Sequence, residues 1–258
     1  MNIVLIGAGN VATHLGSALI ASGHKILQLY SRTEESAVAL SELLNVTRTT
    51  SVDEILTEAD LYVVSVKDSV LDEFLPRLVS RNKEALWVHT SGTIPMQIWE
   101  STSALRYGVL YPMQTFSKHK PVDFQQIPLF IESNNPSDTE LLMSLASSLS
   151  RNVHEASSEQ RRALHIAAVF ACNFTNAMYA AAARLLENNG LSFETMLPLI
   201  DETAAKVHTL SPHEAQTGPA VRNDHNVMAK HLQMLDCYPA EKEIYERISQ
   251  MIYENRLR

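Results

Sequence analysis

Apolar residues are distributed along this chain in two regimes. Over residues 1–155, short apolar runs alternate with stretches in which apolar positions recur every three or four residues. Asn2-Ile3-Val4-Leu5-Ile6 is an apolar run with strand character. It leads through Gly7-Ala8-Gly9-Asn10-Val11-Ala12 into a helical pattern that includes Leu15, Ala18 and Leu19. Further strands are predicted at 25–30, 46–49, 61–66, 85–89, 105–110, 127–132 and 152–155. The run at 61–66 is apolar on both faces, as a parallel sheet requires. Pro128 suggests a sheet edge. Helical patterns fill 34–44, 69–80 and the stretch from 137 to about 150. Ser51-x-x-Glu54 and Ser137-x-x-Glu140 have the form of capping boxes. Alternation of this kind predicts an α/β domain with a doubly wound, mainly parallel sheet.

From residue 157 the strand signal stops. Residues 158–188 read as one long helix closed by Asn189-Gly190. Its middle is apolar almost all round, so it is expected to be the buried axis of the second half. Helices at 192–208, 223–235 and 239–255 complete an all-α second domain, giving domains 1–156 and 157–258. The apolar stretch 166–183 is interrupted by Asn173, Thr175 and Asn176 and reads as a buried helix, not a membrane span. About a hundred helical residues make a small core for a domain standing alone. A homodimer through the helical half would cover the central helix.

Composition changes this picture little. The chain has 258 residues, 45% hydrophobic and 19% charged, which describes an ordinary soluble globular protein. A net charge of -8 argues against a nucleic-acid partner. Cys172 and Cys237 form no disulfide framework or metal-ligand spacing, which suits a reducing cytoplasm. A strand that starts at residue 2 leaves no room for a signal peptide. His208, His213, His225 and His231 match no zinc pattern, so no metal is expected.

The candidate chemistry begins at the first turn. Gly7-x-Gly9-x-x-Ala12, directly after a strand and before a helix, has the spacing of a dinucleotide-binding fingerprint. Gly7 allows a tight turn, Gly9 lets a pyrophosphate approach the backbone, and Ala12 lets helix and strand pack closely. The N–H groups around Asn10 and Val11 would face the phosphates. The second strand ends in Ser31-Arg32-Thr33, where an NAD site would carry Asp or Glu; a neutral and a cationic residue suit a 2′-phosphate. The cofactor expected is therefore NADP. Residues 66–69 follow the fourth strand and should lie near it. His89-Thr90-Ser91-Gly92 ends the fifth strand, where His89 either meets substrate or is tied to a backbone carbonyl. The polar-aromatic turn 111–116 places Gln114 at a further strand end, as another candidate for substrate.

The fingerprint, Ser31-Arg32-Thr33, Val66-Lys67-Asp68, His89-Thr90-Ser91-Gly92 and the helical second half together resemble the 6-phosphogluconate dehydrogenase-like superfamily, which includes pyrroline-5-carboxylate reductase. Residues 165–173, and Thr217-Gly218-Pro219-Ala220-Val221-Arg222-Asn223-Asp224 with His231, resemble a bacterial branch with a Rossmann-like domain and a C-terminal domain of unknown function. Members of that branch are labelled NADP oxidoreductases without an established substrate. The resemblance implies pyrophosphate contacts for Gly7, Gly9, Asn10 and Val11, 2′-phosphate contacts for Ser31, Arg32 and Thr33, and a nicotinamide border of Val66, Lys67 and Ser91. The β-hydroxyacid dehydrogenases carry Lys-x-x-x-Asn on the interdomain helix. Asn173 fits the Asn, but Val169 stands at the Lys, so that mechanism does not carry over.

A replacement acid is available in His165. It lies eight residues before Asn173, a little over two helical turns, so both are expected on one face with Asn176 nearby. His165 would supply or relay a proton and Asn173 would orient a carbonyl or imine. Arg222 could clamp a substrate carboxylate, or pair with Asp224. The function expected is an NADP-dependent oxidoreductase moving a hydride to or from a small polar substrate held between the domains. The alternative is a non-catalytic NADP-binding sensor or scaffold.

Overall fold

The structure is a computed structural model that describes residues 1–255. It divides into two compact units, Met1–Cys172 and Asn173–Arg258. The division falls inside the long helix, later than the change of composition at 157, because the first part of that helix is bound to the sheet unit.

The first unit is built on eight strands: β1 (Asn2–Ile6), β2 (Lys25–Tyr30), β3 (Thr47–Thr49), β4 (Leu61–Val64), β5 (Leu86–His89), β6 (Arg106–Pro112), β7 (Leu129–Ser133) and β8 (Val153–Glu155). Their order across the sheet is β3-β2-β1-β4-β5-β6-β7-β8, and only the β6–β7 pairing is antiparallel. The chain reverses its direction of winding between β1 and β4, which is where a doubly wound sheet opens a ligand crevice at its carboxyl ends.

Alternation along each strand fills both faces. Ile3 and Leu5 face a core with α1 (Asn10–Ala21), α2 (Glu34–Leu44) and, further along the chain, the helix Pro136–Leu149. Val4 and Ile6 face a second core with α3 (Leu71–Val79), Tyr62, Trp87 and Trp99. Strands buried on both sides explain the unbroken apolar runs in the sequence.

Three local expectations give way to stronger partners. Ser51 makes no side-chain cap; Thr49 Oγ1 instead donates to Glu54 Oε2 at 2.6 Å, and only a 3-10 turn, Val52–Glu54, forms. The helix Pro136–Leu149, α4, is capped by Asn135, whose side chain accepts from Asp138 N–H, with Pro136 at the first helical position, so Ser137 lies inside the helix. Pro128 precedes β7, which lies between β6 and β8 and is not a sheet edge. The capping box the structure does contain is Ser157 with Gln160, opening α5 (Ser158–Ala168).

The helix continues through a π turn, Val169–Phe174, into α6 (Thr175–Glu187). In the second unit it is joined by α7 (Leu197–Lys206), α8 (His225–Met234) and α9 (Pro239–Asn255). Arg184 pairs with Glu241, and His231 Nδ1 shares a 2.9 Å hydrogen bond with Tyr245 Oη. Among the described residues of this unit, only Ala220 and Leu235 are buried apolar residues. The long helix is therefore not a buried axis within one chain: Ile166 is 55% exposed and no residue of α6 is buried. Ser158–Glu187 is also long enough to cross a membrane and contains an 18-residue window of mean hydropathy 1.3, in which the alanines outweigh Asn173 and Asn176. Its first turn, however, is fixed to the sheet unit through Arg161.

Asp138 supplies a test of the sheet unit. It is fully buried in α4, where its two carboxylate oxygens share the Arg106 Nε–H at 3.1 and 3.2 Å and Oδ1 also accepts from Arg106 Nη2. Burial alone would raise its carboxyl pKa; the hydrogen bonds from Arg106 and Asn135 and the Arg106 charge outweigh this and hold it below 3.8. A lowered folded pKa gives stability that is present above pH 3.8 and lost as pH falls through the folded value. Arg106→Ala is expected to begin acid unfolding at a higher pH than wild type, followed by far-UV circular dichroism. Coincident acid transitions would show that the pair does not stabilise the fold.

Candidate active site

The site is built on the turn between β1 and α1. Gly7 has φ +114° and its N–H donates to Tyr30 O at 2.8 Å. A Cβ at Gly7 would stand 2.0 Å from Ser65 O, so the turn and the end of β4 approach too closely for any side chain. Gly9 differs: a Cβ there would meet nothing within 4 Å. The chain's own packing does not require that glycine, whereas a ligand drawn against the backbone would. Asn10 Nδ2 donates to Phe116 O at 2.8 Å, leaving its backbone N–H at the helix N-terminus. Val11 is half-buried beside it.

At the end of β2, Ser31 is buried and its N–H is held by Thr49 O at 3.2 Å. Arg32 and Thr33 are exposed. Arg32 forms no ion pair among the described residues, whereas the neighbouring acid, Glu34, is neutralised by Arg48 at 3.2 Å. An unpaired cation on a strand end without a carboxylate suits a ribose 2′-phosphate. Val66 is half-buried and lies beside the Gly7 turn, and Lys67 is exposed.

The next strand end carries a network. Ser91 Oγ accepts from Thr93 N–H and Ile94 N–H, both at 3.1 Å, and Thr93 Oγ1 donates to Asp68. This ties the loop after β5 to the loop after β4. Behind it, Arg161 is 1% exposed, and every side of its guanidinium is engaged. It donates to Ser91 O (3.1 Å), Ile94 O (2.6 Å), Ser158 Oγ (3.3 Å) and Glu132 Oε2 (2.5 Å). Glu132 also accepts from Ser158 N–H and Oγ–H.

His165, one helical turn beyond Arg161, lies against this loop. Its Nδ1 is 3.3 Å from Tyr111 Oη, and both rings pack on Gly92. A Cβ at Gly92 would stand 2.7 Å from His165 Nδ1 and 2.7 Å from Tyr111 Cζ. Ser91, Tyr111 and His165 are thus brought together at the carboxyl ends of β5 and β6.

Other expected residues fall elsewhere. His89 is 0% exposed, with its ring stacked toward Trp99 at 6.1 Å, so it does not offer itself to substrate. Its Nδ1 accepts from Ser91 N–H at 3.2 Å, which makes it a support for the loop. Gln114 is exposed and accepts from its own neighbour's N–H. Asn173, Asn176 and Arg222 are exposed residues of the second unit. Asn173 lies within the π turn, which begins four residues after His165. Asp224 caps α8 by accepting from Val227 N–H at 3.1 Å, and among the described residues Arg222 makes no ion pair with it. No cluster of metal ligands occurs among the described residues. Sequence reasoning missed Tyr111 and Arg161. The strand-end argument that singled out His89 applies equally to Tyr111, whereas nothing local marks Arg161.

Comparison with known proteins shows the family. Residues 2–91 match the family described as NADP oxidoreductase, coenzyme F420-dependent, and residues 127–252 match a domain of unknown function, DUF2520. A solved structure from Bacteroides fragilis, named "putative NADP oxidoreductase", is 54% identical, with 98% of each chain covered and a TM-score of 0.94. The chain belongs to this NADP oxidoreductase family. The oxidoreductase shares its fold with pyrroline-5-carboxylate reductase from Streptococcus pyogenes, at 17% identity over 98% of each chain and a TM-score of 0.67. It shares it equally with an imine reductase from Myxococcus stipitatus in complex with NADP+, at 17% identity over 98% of this chain and 92% of that one, TM-score 0.67. No curated protein matches the chain. Its cofactor is NADP, and the turn at Gly7 and Gly9 and the unpaired Arg32 fit that group.

His89 also gives this oxidoreductase a measurable pH response. Burial first, then the Arg161 charge, lowers its pKa from 6.5 to about 3. Below pH 6.5 the unfolded chain takes up a proton that the folded chain refuses, so stability falls as pH drops from 6.5 toward 3. At two pH units below the unfolded value the loss is about 2–3 kcal/mol. His89→Gln is expected to remove that part of the slope, read from urea midpoints at pH 7.5 and pH 4.5. Parallel slopes in the two proteins would contradict the assignment.

Proposed function

We propose that this oxidoreductase reduces a carbonyl or imine carbon in a small polar substrate, with His165 passing the accompanying proton. The observation that carries this reading is the position of His165: its imidazole rests on Gly92, next to Ser91, at a carboxyl strand end of the same unit that holds the glycine turn. The hydride comes from bound NADPH. Gly7, Gly9, Asn10 and Val11 would hold the pyrophosphate. Ser31, Arg32 and Thr33 would take the 2′-phosphate, and Val66, Lys67 and Ser91 would border the nicotinamide. Asn173, Asn176 and Arg222 are candidates on chemistry alone for holding polar groups of the substrate. Two free cysteines, Cys172 and Cys237, suit a cytoplasmic setting. Nothing in the geometry or among the relatives favours the non-catalytic alternative.

Calorimetric titration with NADPH and NADH tests the cofactor site. NADPH should bind more tightly, and Arg32→Ala should erase the preference; equal affinities in wild type would dismiss the 2′-phosphate role of Arg32. A screen of NADPH oxidation with keto acids, imines and deazaflavins then tests the acid. His165→Gln should slow turnover by about 10²–10⁴-fold. Unchanged turnover would remove His165 from the chemistry.

We also propose that a second copy of the chain covers the helical unit. Among the described residues, two buried apolar residues cannot hold the four helices of this unit, and its Leu199, Met234 and Met251 are exposed to water. Equilibrium sedimentation should report a dimer at micromolar concentration; a monomer would refute the proposal.

A further inference from the structure

Tyr111 and His165 come from distant parts of the chain, the end of β6 and the last turn of α5. They meet over Gly92, whose missing Cβ gives both rings their room. Tyr111 is buried, with its ring centroid 6.2 Å from Phe130 and 6.3 Å from His165. Among the described residues, its hydroxyl has one hydrogen-bond partner, His165 Nδ1. His165 is half-exposed, and its Nε2 has no partner among the described residues.

This arrangement has a direction. A neutral imidazole carries one N–H, and the bond made by one nitrogen decides where that proton sits. The phenol is shut away from water and keeps its proton, its pKa raised by burial and only partly offset by the Arg161 charge. A phenol facing an imidazole nitrogen is the donor, because that nitrogen is the better acceptor. Nδ1 is then occupied, and the imidazole proton is left on the open Nε2.

We propose that Tyr111 is the proton source of the reaction and that His165 relays its proton. The proposal rests on the reading of His165 above. The Nε2–H bond breaks as a new O–H or N–H bond forms on the substrate. At the same time the Tyr111 O–H bond breaks and an Nδ1–H bond forms, so the imidazole stays neutral throughout. The negative charge that hydride addition would leave on the substrate ends on the Tyr111 oxygen, where the buried Arg161 charge favours it. Solvent returns the proton after product leaves. An alkoxide or an amide anion is a far stronger base than a phenolate, so the transfer runs downhill. Tyr111 acts through His165 and positions it, without touching the substrate.

The test reads the imidazole directly, in protein without nucleotide. Long-range ¹H–¹⁵N spectra of histidine-labelled protein, with His165 assigned by its loss in His165→Gln, should show the Nε2–H tautomer with a hydrogen-bonded Nδ1 at pH 8. Tyr111→Phe keeps the ring and should shift the Nδ1 resonance toward that of an unbonded nitrogen. Where an oxidisable or reducible partner has been found, the same variant should lower kcat at least about tenfold, with the KM for NADPH unchanged. An Nδ1–H tautomer in wild type overturns the relay, as does an Nδ1 signal that Tyr111→Phe leaves in place. Neither result needs the variant's activity, and the wild-type spectrum needs no variant fold beyond the assignment. If the tautomer is as expected but no substrate is ever turned over, the reductase reading fails while the Tyr111–His165 geometry stands. If turnover depends on His165 and the tautomer is the wrong one, the reading stands and the relay fails.

Discussion

Arg161 is a charge taken fully out of water, and the positions of Ser91 and His165 both depend on how that charge is satisfied. A buried guanidinium is tolerated only when it is paired and its donors are used. Glu132 supplies the pairing, and the carbonyls of Ser91 and Ile94 take further donors. The same carboxylate accepts from Ser158 at the start of α5, so one ion pair binds β7, the loop after β5 and the first turn of the helix. Breaking a pair of this kind typically costs about 3–5 kcal/mol, because the partner is left charged and buried. His165 follows Arg161 by four residues and shares its face of the helix. The side chain that fixes the helix therefore also fixes where the imidazole lands, against Gly92.

This explains why the composition change and the unit boundary differ. Sequence pattern shows where strands stop, at Ser157. Contacts follow the Arg161 network, which keeps the start of the helix with the sheet. It also explains what could be read from sequence and what could not. The glycine turn, the alternation of strands and helices that marks a doubly wound sheet, and the Arg32 strand end are local features, written in consecutive residues. The Arg161–Ser91 and Tyr111–His165 contacts join positions 70 and 54 residues apart, and no local period encodes them.

The failed capping boxes make the same point at short range. The Ser-x-x-Glu pattern states that a cap is possible, not that it wins. At Ser51, a threonine hydroxyl two residues earlier takes the glutamate. At Ser137, an asparagine with proline after it starts the helix sooner. The long helix shows a different limit. An apolar surface all round a helix records that something covers it, and the sequence cannot say whether the cover is the same chain. Here the single chain leaves it exposed.

The π turn falls where the sequence departs from the Lys-x-x-x-Asn pattern. In that pattern the two residues, four apart, are neighbours on one helix face. Here the position of that lysine, Val169, is the first residue of a π turn that runs to Phe174. In the regular helix before the turn, Arg161 and His165 both meet a strand-end loop, Arg161 through the carbonyls of Ser91 and Ile94 and His165 across Gly92, with Tyr111 facing its ring. π turns of this kind occur often at functional sites, and this one separates a helix segment locked to the nucleotide-binding unit from one that belongs to the helical unit.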